Sequence, residues 1–141
     1  MKDYPGRYIA VLYRKAQVYW TQELAVYGLS SGEYPLIFCL CRKDGVVQEE
    51  LAELLNIDKS AIARMVQSLE KKGMIRREKD ERDHRCNRIF LTEKGHQCDE
   101  PIQKLRGIWN DRLMEGMSEE ERGEFLRLLE MAAKNITGRQ G

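Results

Sequence analysis

Residues 80 to 95 read DERDHRCNRIFLTEKG, and this stretch decides the fold of the chain. It begins with a charged, arginine-rich tip, which lies between two short strand-like segments, residues 75–77 and 88–91. A helix-turn-helix pattern comes just before this tip. That order predicts a winged helix-turn-helix, in which one helix enters the major groove of DNA and a hairpin arm, the wing, reaches the backbone and the minor groove.

The bulk composition limits the class of protein. A chain of 141 residues is expected to form one domain, or one domain with arms that need a partner. Its 42% hydrophobic and 33% charged residues are typical of a helix-rich soluble protein. No stretch approaches the roughly 18 apolar residues that span a membrane, and the N-terminus does not resemble a signal peptide. We therefore expect a cytoplasmic protein with no membrane partner.

The formal net charge of +1 hides a segregation of charge along the chain. Residues 59–90 contain ten Lys and Arg against five Asp and Glu, whereas the rest of the chain holds 14 basic and 18 acidic residues. A basic segment inside a nearly neutral chain is the usual signature of a localised phosphate-binding surface.

Apolar residues at spacings of three and four predict several helices before the basic segment. A first helix covers residues 8–27 and stops at Gly28. The next helix, around residues 36–41, is apolar on nearly every side and is expected to be central and buried. A short helix over residues 47–55 follows. Its inward residues are expected to be Leu51, Ala52, Leu54 and Leu55.

The basic segment opens with the second helix of the helix-turn-helix. This helix is predicted over residues 59–72, with Asp58 or Ser60 as its cap and Gly73 as its end. Two short helices joined by a turn of three or four residues are the signature of the motif.

Amphipathic helices at both ends of the chain predict a dimer. Beyond Gly95, Pro101 predicts a kink or a late start in a long helix, and residues 118–121 form a capping box that opens a last helix. Such helices, with no other core to join, usually pair with a second copy, although packing within one monomer is the alternative. The expected fold is mostly α with a small β-wing. Its parts are an N-terminal dimerisation helix (1–30), a winged helix-turn-helix (31–95) and C-terminal dimerisation helices (96–141).

One face of the helix over residues 59–72 is suited to reading bases. Ile62, Met65, Val66 and Leu69 form the stripe expected to face the core. The other face offers donors and acceptors for base edges, and a methyl group that matches thymine. An ordinary solvated face is the alternative, but the neighbouring motif and the arginine tip favour DNA. The residues of this face are Lys59, Ser60, Ala63, Arg64 and Gln67.

The tip carries Arg82 and Arg85, and arginine enters narrow minor grooves because their negative potential is enhanced. The alternative is an intramolecular charge cluster, in which Asp80 and Asp83 brace the tip and leave one arginine for DNA. Three further arginines are expected to meet phosphates, which position a protein without reading sequence. They are Arg76, Arg77 and Arg88.

Three motifs together resemble the MarR family (multiple antibiotic resistance regulators). They are QEELA with a following leucine at residues 48–55, DKS…RMV…LEKKG at residues 58–73, and D-x-R-D-x-R…LT-x-x-G at residues 80–95. The resemblance covers nearly the whole chain, and the wing motif is its specific part. It implies an obligate homodimer that binds a pseudo-palindromic operator in double-stranded DNA. It also implies repression that a small phenolic or anionic ligand relieves.

The resemblance also assigns roles to individual residues. Arg85 best matches the wing arginine that such proteins place in the minor groove. Val47 stands where many members have a capping threonine, and Ala61 and Ala63 replace hydroxylated residues. Base readout is therefore expected to depend more on Arg64, Gln67 and Lys59. The ligand pocket of the family lies between the DNA-binding lobe and the dimer helices. Aromatic candidates here, with core packing as the alternative, are Tyr13, Trp20, Tyr34, Phe38 and Trp109.

The cysteines suggest a second kind of switch. Cys86 lies beside arginines in the wing, where a thiol of low pKa would make the protein a redox-responsive regulator. The oxidation-sensing branch of the family carries its cysteine early in the first helix, and this chain has none there. Cys39 and Cys41 are expected to be inert core thiols. His84 and His96 have no metal-ligand spacing with the cysteines, so no metal or other cofactor is expected.

Two other classes of function compete with a DNA-binding regulator. A winged helix can serve as a protein–protein interaction module, because a fold alone does not fix function. An enzyme is disfavoured, since the sequence has no Gly-rich phosphate loop and no plausible pairing of a nucleophile with a base.

Overall fold

The computed structural model describes residues 4–138 as seven α-helices, one short 3-10 helix and three β-strands. The mostly α fold with a small β-wing is therefore confirmed. In chain order the elements are α1 (Pro5–Leu24), the 3-10 helix (Ala25–Tyr27), α2 (Tyr34–Arg42), β1 (Val46–Val47), α3 (Gln48–Leu55), α4 (Lys59–Lys71), β2 (Ile75–Lys79), β3 (Asn87–Leu91), α5 (Glu93–His96), α6 (Asp99–Leu113) and α7 (Glu119–Thr137).

The three strands form one antiparallel sheet in the order β1-β3-β2. β2 and β3 are the two arms of the wing, and their register runs from Ile75 opposite Leu91 to Lys79 opposite Asn87. β1 adds two residues on the other side, with Val46 opposite Ile89. Residues 80–86, here called the wing tip, connect the two arms.

The described residues divide into two compact units, one ending at Arg106 and one beginning at Gly107. The first unit contains the helix-turn-helix, the sheet and α1, whose C-terminal half contributes to its core. Burial of apolar side chains is the main favourable term that holds such a unit together. The side chains with 0% exposure are Leu24, Leu36, Ile37, Leu40, Leu51, Val66, Leu69 and Ile89.

The second unit consists of the end of α6 and all of α7. The predicted capping box opens α7: the Ser118 hydroxyl accepts from the backbone N–H of Glu121, and the Glu121 carboxylate accepts from the backbone N–H of Ser118. None of the described α7 residues is buried. Its exposed apolar side chains are Leu126, Leu128, Leu129, Met131 and Ile136.

Two details of the predicted elements were wrong, and one choice that the sequence left open is decided in the structure. Leu54 is 55% exposed, so its expected place in the core was wrong; the buried residues of α3 are Leu51 and Ala52. Val47 belongs to β1 and not to α3, because its backbone is extended and paired with Arg88. A kink and a late start were the two alternatives for the helix that contains Pro101, and the structure shows the late start. α6 begins at Asp99, which places Pro101 in the first turn, where proline is tolerated.

The helices of residues 4–138 include none that is long and apolar enough to cross a membrane.

Candidate nucleic-acid interface

The helix-turn-helix consists of α3 and α4 joined by a sharp turn. Asn56 takes a left-handed conformation (φ 53°) and ends α3, since asparagine tolerates this region better than most residues. The Asp58 carboxylate then caps α4 by accepting from the backbone N–H of Ala61 at 2.9 Å and from the Ser60 hydroxyl at 2.6 Å. These hydrogen bonds, led by that of Ser60, lower the pKa of Asp58. The cap was one of the two predicted, and it fixes where α4 begins.

α4 has one buried face and one exposed face, as its sequence predicted. Ile62, Val66 and Leu69 are buried and Met65 is half-buried. This apolar stripe leaves the rest of the helix surface to solvent. The exposed residues on that surface include all five predicted to meet DNA: Lys59, Ser60, Ala63, Arg64 and Gln67.

Asp83 organises the wing tip. Its carboxylate accepts from the backbone N–H of Arg85 at 3.1 Å and from the Arg85 Nε at 3.0 Å, while its own carbonyl accepts from the backbone N–H of Cys86 at 2.9 Å. The hydrogen bonds from Arg85 lower the pKa of Asp83. The side chain of Arg85 is nevertheless 91% exposed, and Arg82 is exposed beside it. Both predicted tip arginines therefore project into solvent.

Arg88 connects the wing tip to the turn before β1. Its Nε donates to the Asp80 carboxylate at 2.8 Å, and its Nη1 donates to the carbonyl of Gly45 at 2.7 Å. The hydrogen bond with Asp80 raises the pKa of Arg88 and lowers the pKa of Asp80. Two of the five N–H donors of the guanidinium are therefore already occupied within the protein.

The other two predicted phosphate contacts also hold acidic partners. Arg77 forms two hydrogen bonds with the Glu70 carboxylate at 2.7 and 3.2 Å, which raise the pKa of the arginine and lower that of the acid. Arg76 pairs with Glu78 and lies 4.5 Å from the centre of the Phe90 ring. By contrast, within residues 4–138 three of the seven basic side chains predicted to contact DNA form no ion pair with a carboxylate. These are Lys59, Arg64 and Arg82.

Cys86 does not have the low pKa expected from its arginine neighbours. The thiol is half-buried and donates to the Asp83 carboxylate at 3.6 Å. Burial, followed by the charges of Asp83 and Glu49, raises its pKa. The expectation was wrong because the sulfur is half-buried, and because Asp83, which pairs with the guanidinium of Arg85, places its own negative charge next to the sulfur. This environment disfavours the thiolate on which redox sensing depends.

The remaining cysteines, of which Cys39 and Cys41 are half-buried and Cys98 is buried, also have raised pKa values. Burial raises the pKa of Cys39 and of Cys98, and it raises the pKa of Cys41 to about 12 together with the charge of Asp99. Among the residues that the structure describes, no three His, Cys, Asp or Glu side chains are placed to hold a metal ion.

The aromatic ligand candidates fall into different environments. Trp20 is 5% exposed and stacks on Tyr34 with ring centres 4.1 Å apart. Phe38 is half-buried and lies between two guanidiniums, that of Arg106 at 3.7 Å and that of Arg42 at 4.7 Å. The structure therefore places three of the candidates in the first unit, and basic groups lie near Phe38 and Tyr34. Tyr13 is 64% exposed, and Trp109 lies in the second unit.

Sequence reasoning missed one charged residue near α4. Glu33 is buried at the start of α2, and its carboxylate accepts hydrogen bonds from Ser68 and Lys72. Ser30 and Glu33 have the spacing of a capping box, and this local arrangement is present. The pairing with α4, however, spans 35 and 39 residues of sequence, so no local pattern could have indicated it.

Comparison with known proteins agrees with this architecture. The MarR family model matches residues 29–87. The chain is 30% identical over 109 residues to the HTH-type transcriptional regulator YybA of Bacillus subtilis (strain 168), a match that covers 77% of this chain and 72% of that protein. A MarR transcriptional regulator from Methanosarcina mazei Go1 has 36% identity and a TM-score of 0.89, with 97% of this chain and 99% of that chain covered.

A further solved structure includes DNA. It is a MarR family transcriptional regulator from Listeria monocytogenes complexed with a 26mer DNA, with 28% identity, a TM-score of 0.89, and 96% of this chain and 90% of that chain covered. The match to YybA and the match to the Methanosarcina protein each extend over most of both chains. The present chain therefore belongs to the MarR family of DNA-binding transcription regulators.

Proposed function

We propose that this protein is a homodimeric repressor, which binds a pseudo-palindromic operator and leaves it when a small phenolic or anionic ligand binds. The observation that carries the proposal is the two-faced α4, with an apolar stripe in the core and a polar, basic face in solvent. A helix of this kind, followed by a wing with exposed arginines, is suited to major-groove and minor-groove contact at one site. Because this role requires access to genomic DNA, we also propose a cytoplasmic location.

The exposed face of α4 would meet the base edges. Arg64 is able to donate to both acceptors of a guanine, and Gln67 is able to form the paired contacts that select adenine. Ala63 offers a methyl group to thymine. Ser60 already donates its proton to Asp58, so its hydroxyl would act as an acceptor or through water. Lys59 lies at the first turn of α4, where it would meet a phosphate.

The wing would anchor the protein on the flanking duplex. We propose that Arg85 enters the minor groove, with Arg82 beside it, because both side chains are exposed at the wing tip. Arg76, Arg77 and Arg88 would position the wing on phosphates through the donors that their acidic partners leave free. Because each of these arginines is paired with a carboxylate, its contact with a phosphate would release fewer counterions than a contact of Lys59 or Arg64 would.

A second copy of the chain would cover the exposed apolar helix faces. α7 carries five exposed large apolar residues, and the N-terminal half of α1 together with the residue before it carries six more. Large exposed apolar patches usually mark interaction sites. Two-fold pairing would present two copies of α4 to two half-sites, as a pseudo-palindrome requires. The six residues of α1 and its start are Tyr4, Tyr8, Ile9, Val11, Leu12 and Tyr13.

The aromatic and basic groups near α2 support the proposed ligand class. The half-buried rings of Tyr34 and Phe38 offer aromatic surface, while Trp20 is buried against Tyr34. The guanidinium of Arg106 lies over Phe38, and its charge partly offsets the burial that raises the pKa of Tyr34. An anionic aromatic compound would find both stacking and charge pairing there. Tyr13 and Trp109 remain the other two candidates of the set.

The experiment that tests the function is selection of the purified protein against a random duplex pool, followed by binding of the enriched duplex at several salt concentrations. We expect an inverted repeat with half-sites roughly one helical turn apart and a steep loss of affinity with salt. Enrichment of no sequence by a folded dimer would contradict operator recognition. Phenolic and anionic compounds would then be screened for release of the selected duplex, and failure of every compound would contradict the ligand part of the proposal.

A further inference from the structure

Glu33 is the only buried carboxylate among the described residues, with 5% of its surface exposed. Taking a charged group out of water is costly unless that group is paired and hydrogen-bonded. Glu33 lies just before α2, and the two side chains that compensate its charge, those of Ser68 and Lys72, come from α4 and its C-cap. Its position therefore needs an explanation that the DNA contacts do not supply.

The carboxylate of Glu33 joins two elements through directional hydrogen bonds. Oε1 accepts from Lys72 Nζ at 2.6 Å and from the backbone N–H of Ser30 at 2.9 Å, and Oε2 accepts from the Ser68 hydroxyl at 2.6 Å. Ser68 and Lys72 lie in the last turn of α4 and at its C-cap. Glu33 therefore holds the C-terminal end of α4 against the start of α2.

Burial alone would raise the pKa of Glu33, but hydrogen bonds from Lys72, Ser68 and Ser30 outweigh burial and lower it. The group is therefore an anion at neutral pH. An anion near the C-terminal end of a helix is opposed by the helix dipole, and Lys72 offsets that repulsion. Replacing a buried ion pair by apolar residues of similar size often leaves stability unchanged or raises it. A buried pair such as Glu33 and Lys72 is therefore better explained by the geometry it imposes on the elements it joins.

The apolar stripe of α4 restricts the rotation of the helix less narrowly than the hydrogen bonds from Ser68 and Lys72 to Glu33 do. Burial of Ile62, Val66 and Leu69 is non-directional, so it tolerates small rotations of the helix about its axis. Arg64 lies one turn, about 6 Å, before Ser68 on the same helix. A rotation at the end held by Glu33 would therefore move the guanidinium of Arg64 relative to any base it meets.

We propose that Glu33 is a positioning residue for DNA recognition. It fixes the rotation and axial position of α4, so that Arg64 and Gln67 meet base edges in register, and it does so without touching DNA. The inference rests on the DNA contacts of α4 proposed above.

The test compares operator preference in Glu33→Gln with that in the parent protein. The probes are the inverted-repeat duplex enriched by the parent and a scrambled duplex of the same length and composition. We expect the ratio of the two affinities to fall about tenfold or more in Glu33→Gln. Affinity for the scrambled duplex and the salt dependence should stay unchanged, because no phosphate contact is lost. Lys71→Met, which removes an exposed neighbouring cation, is the matched control and should keep the ratio.

A second variant separates positioning from folding. Glu33→Met with Lys72→Met replaces the ion pair by apolar side chains, and we expect a stably folded protein with the same loss of operator preference. Should Glu33→Gln fail to fold, Ser68→Ala, which removes one hydrogen bond, is measured in its place. A variant that is destabilised but keeps the parent ratio would overturn the inference. If the parent protein enriches no sequence from the random duplex pool, the proposed function is contradicted, and the inference about Glu33 is contradicted with it.

Discussion

Arg64 and Gln67 are three residues apart on the exposed side of α4, and neither belongs to the buried stripe. We expect Arg64→Ala to weaken operator binding by about 1–3 kcal/mol and to relax the preference at one base pair, because a bidentate contact is lost. Arg64→Lys is the sharper comparison. This substitution keeps the positive charge, so the salt dependence of binding should not change. It removes the two parallel hydrogen bonds that a guanidinium forms with a base, so only the preference for that base pair should fall. Both effects are measured by the affinity of each protein for operators that carry single base changes. If the parent, Arg64→Ala and Arg64→Lys rank these operators equally, Arg64 does not take part in base readout.

Arg85 at the wing tip leads to a different expectation, because it would contribute charge in the minor groove. Arg85→Ala should weaken operator binding and lower the salt dependence by about one counterion. Arg82→Ala tests the neighbouring side chain in the same assay. If Arg82 and not Arg85 is the arginine in the groove, the larger loss will follow Arg82→Ala. Unchanged affinity in both variants would remove the wing tip from the binding site.

The thiol of Cys86 tests the electrostatics of the wing tip. Its pKa is raised by burial and by Asp83, so the thiolate fraction at a given pH is smaller than that of an ordinary cysteine and increases only at higher pH. We expect slow alkylation by iodoacetamide near neutral pH in a variant with Cys39, Cys41 and Cys98 replaced by serine. Asp83→Asn should speed the reaction. The variant that keeps Asp83 should be alkylated more slowly than a cysteine in a short peptide. Faster alkylation would contradict the placement of the Cys86 sulfur beside the Asp83 carboxylate.

Two helical glycines give a test at the level of secondary structure. Gly95 is buried in α5, where an added Cβ would lie 2.2 Å from the carbonyl oxygen of Met74, a backbone atom that cannot easily shift. We expect Gly95→Ala to lower the free energy of unfolding by about 1–3 kcal/mol, as overpacking does. Gly107→Ala in α6 is the matched control.

Apart from the adjoining residues and the backbone of α6 itself, no atom of residues 4–138 lies within 4 Å of the Cβ position at Gly107. Alanine should therefore be neutral or stabilise α6 by about 0.5–1 kcal/mol, since glycine in a helix interior is the less favourable residue. Urea unfolding of both variants measures the difference. Equal stabilities would show that the contact of α5 with the segment after α4 is looser than its geometry indicates.

The elements that sequence predicted well are those that local chemistry determines. Asp58 and Ser118 cap helices through residues three positions away, and Gly73 ends α4 with a φ of 75°. β1 could not be recognised, because a strand of two residues exists only through its pairing with β3. The same limit applied to Leu54 and Glu33, whose exposure and contacts depend on how distant helices pack.

The residues of the proposed interface show the same division. The exposed face of α4 followed from helical periodicity, and the arginines of the wing followed from the order of motif and tip. The charge cluster at the tip was foreseen as an alternative, and Asp83 does pair with Arg85. The partners of Arg88 were not foreseen, because its pairing with Asp80 and Gly45 depends on the closed hairpin and on the turn before β1. The error on Cys86 has this origin as well: sequence shows the neighbouring charges but not which of them touch the sulfur.

At the scale of the whole molecule, the exposed apolar residues of α7 argue for a second copy of the chain. Leu128 is 49% exposed on a helix with no buried described residue, and solvent contact of so many large side chains is unfavourable. We expect Leu128→Asp to shift the protein from dimer to monomer in sedimentation, because an unpaired charge in an apolar interface is costly. Arg127→Ala, on the same helix, should leave the dimer intact, since its exposed pair with Glu124 contributes little.

Dissociation of the dimer would change DNA binding in a specific way. A monomer retains one complete α4 and one wing, so its contact with a single half-site should persist, while the affinity gained by engaging two half-sites at once is lost. Binding of Leu128→Asp to the full inverted repeat should therefore fall towards its affinity for an isolated half-site. The parent should prefer the full repeat strongly. A monomeric variant that still favours the full repeat as the parent does would mean that α7 does not hold the DNA-binding dimer together, and the apolar residues of α1 would then be the surface to test.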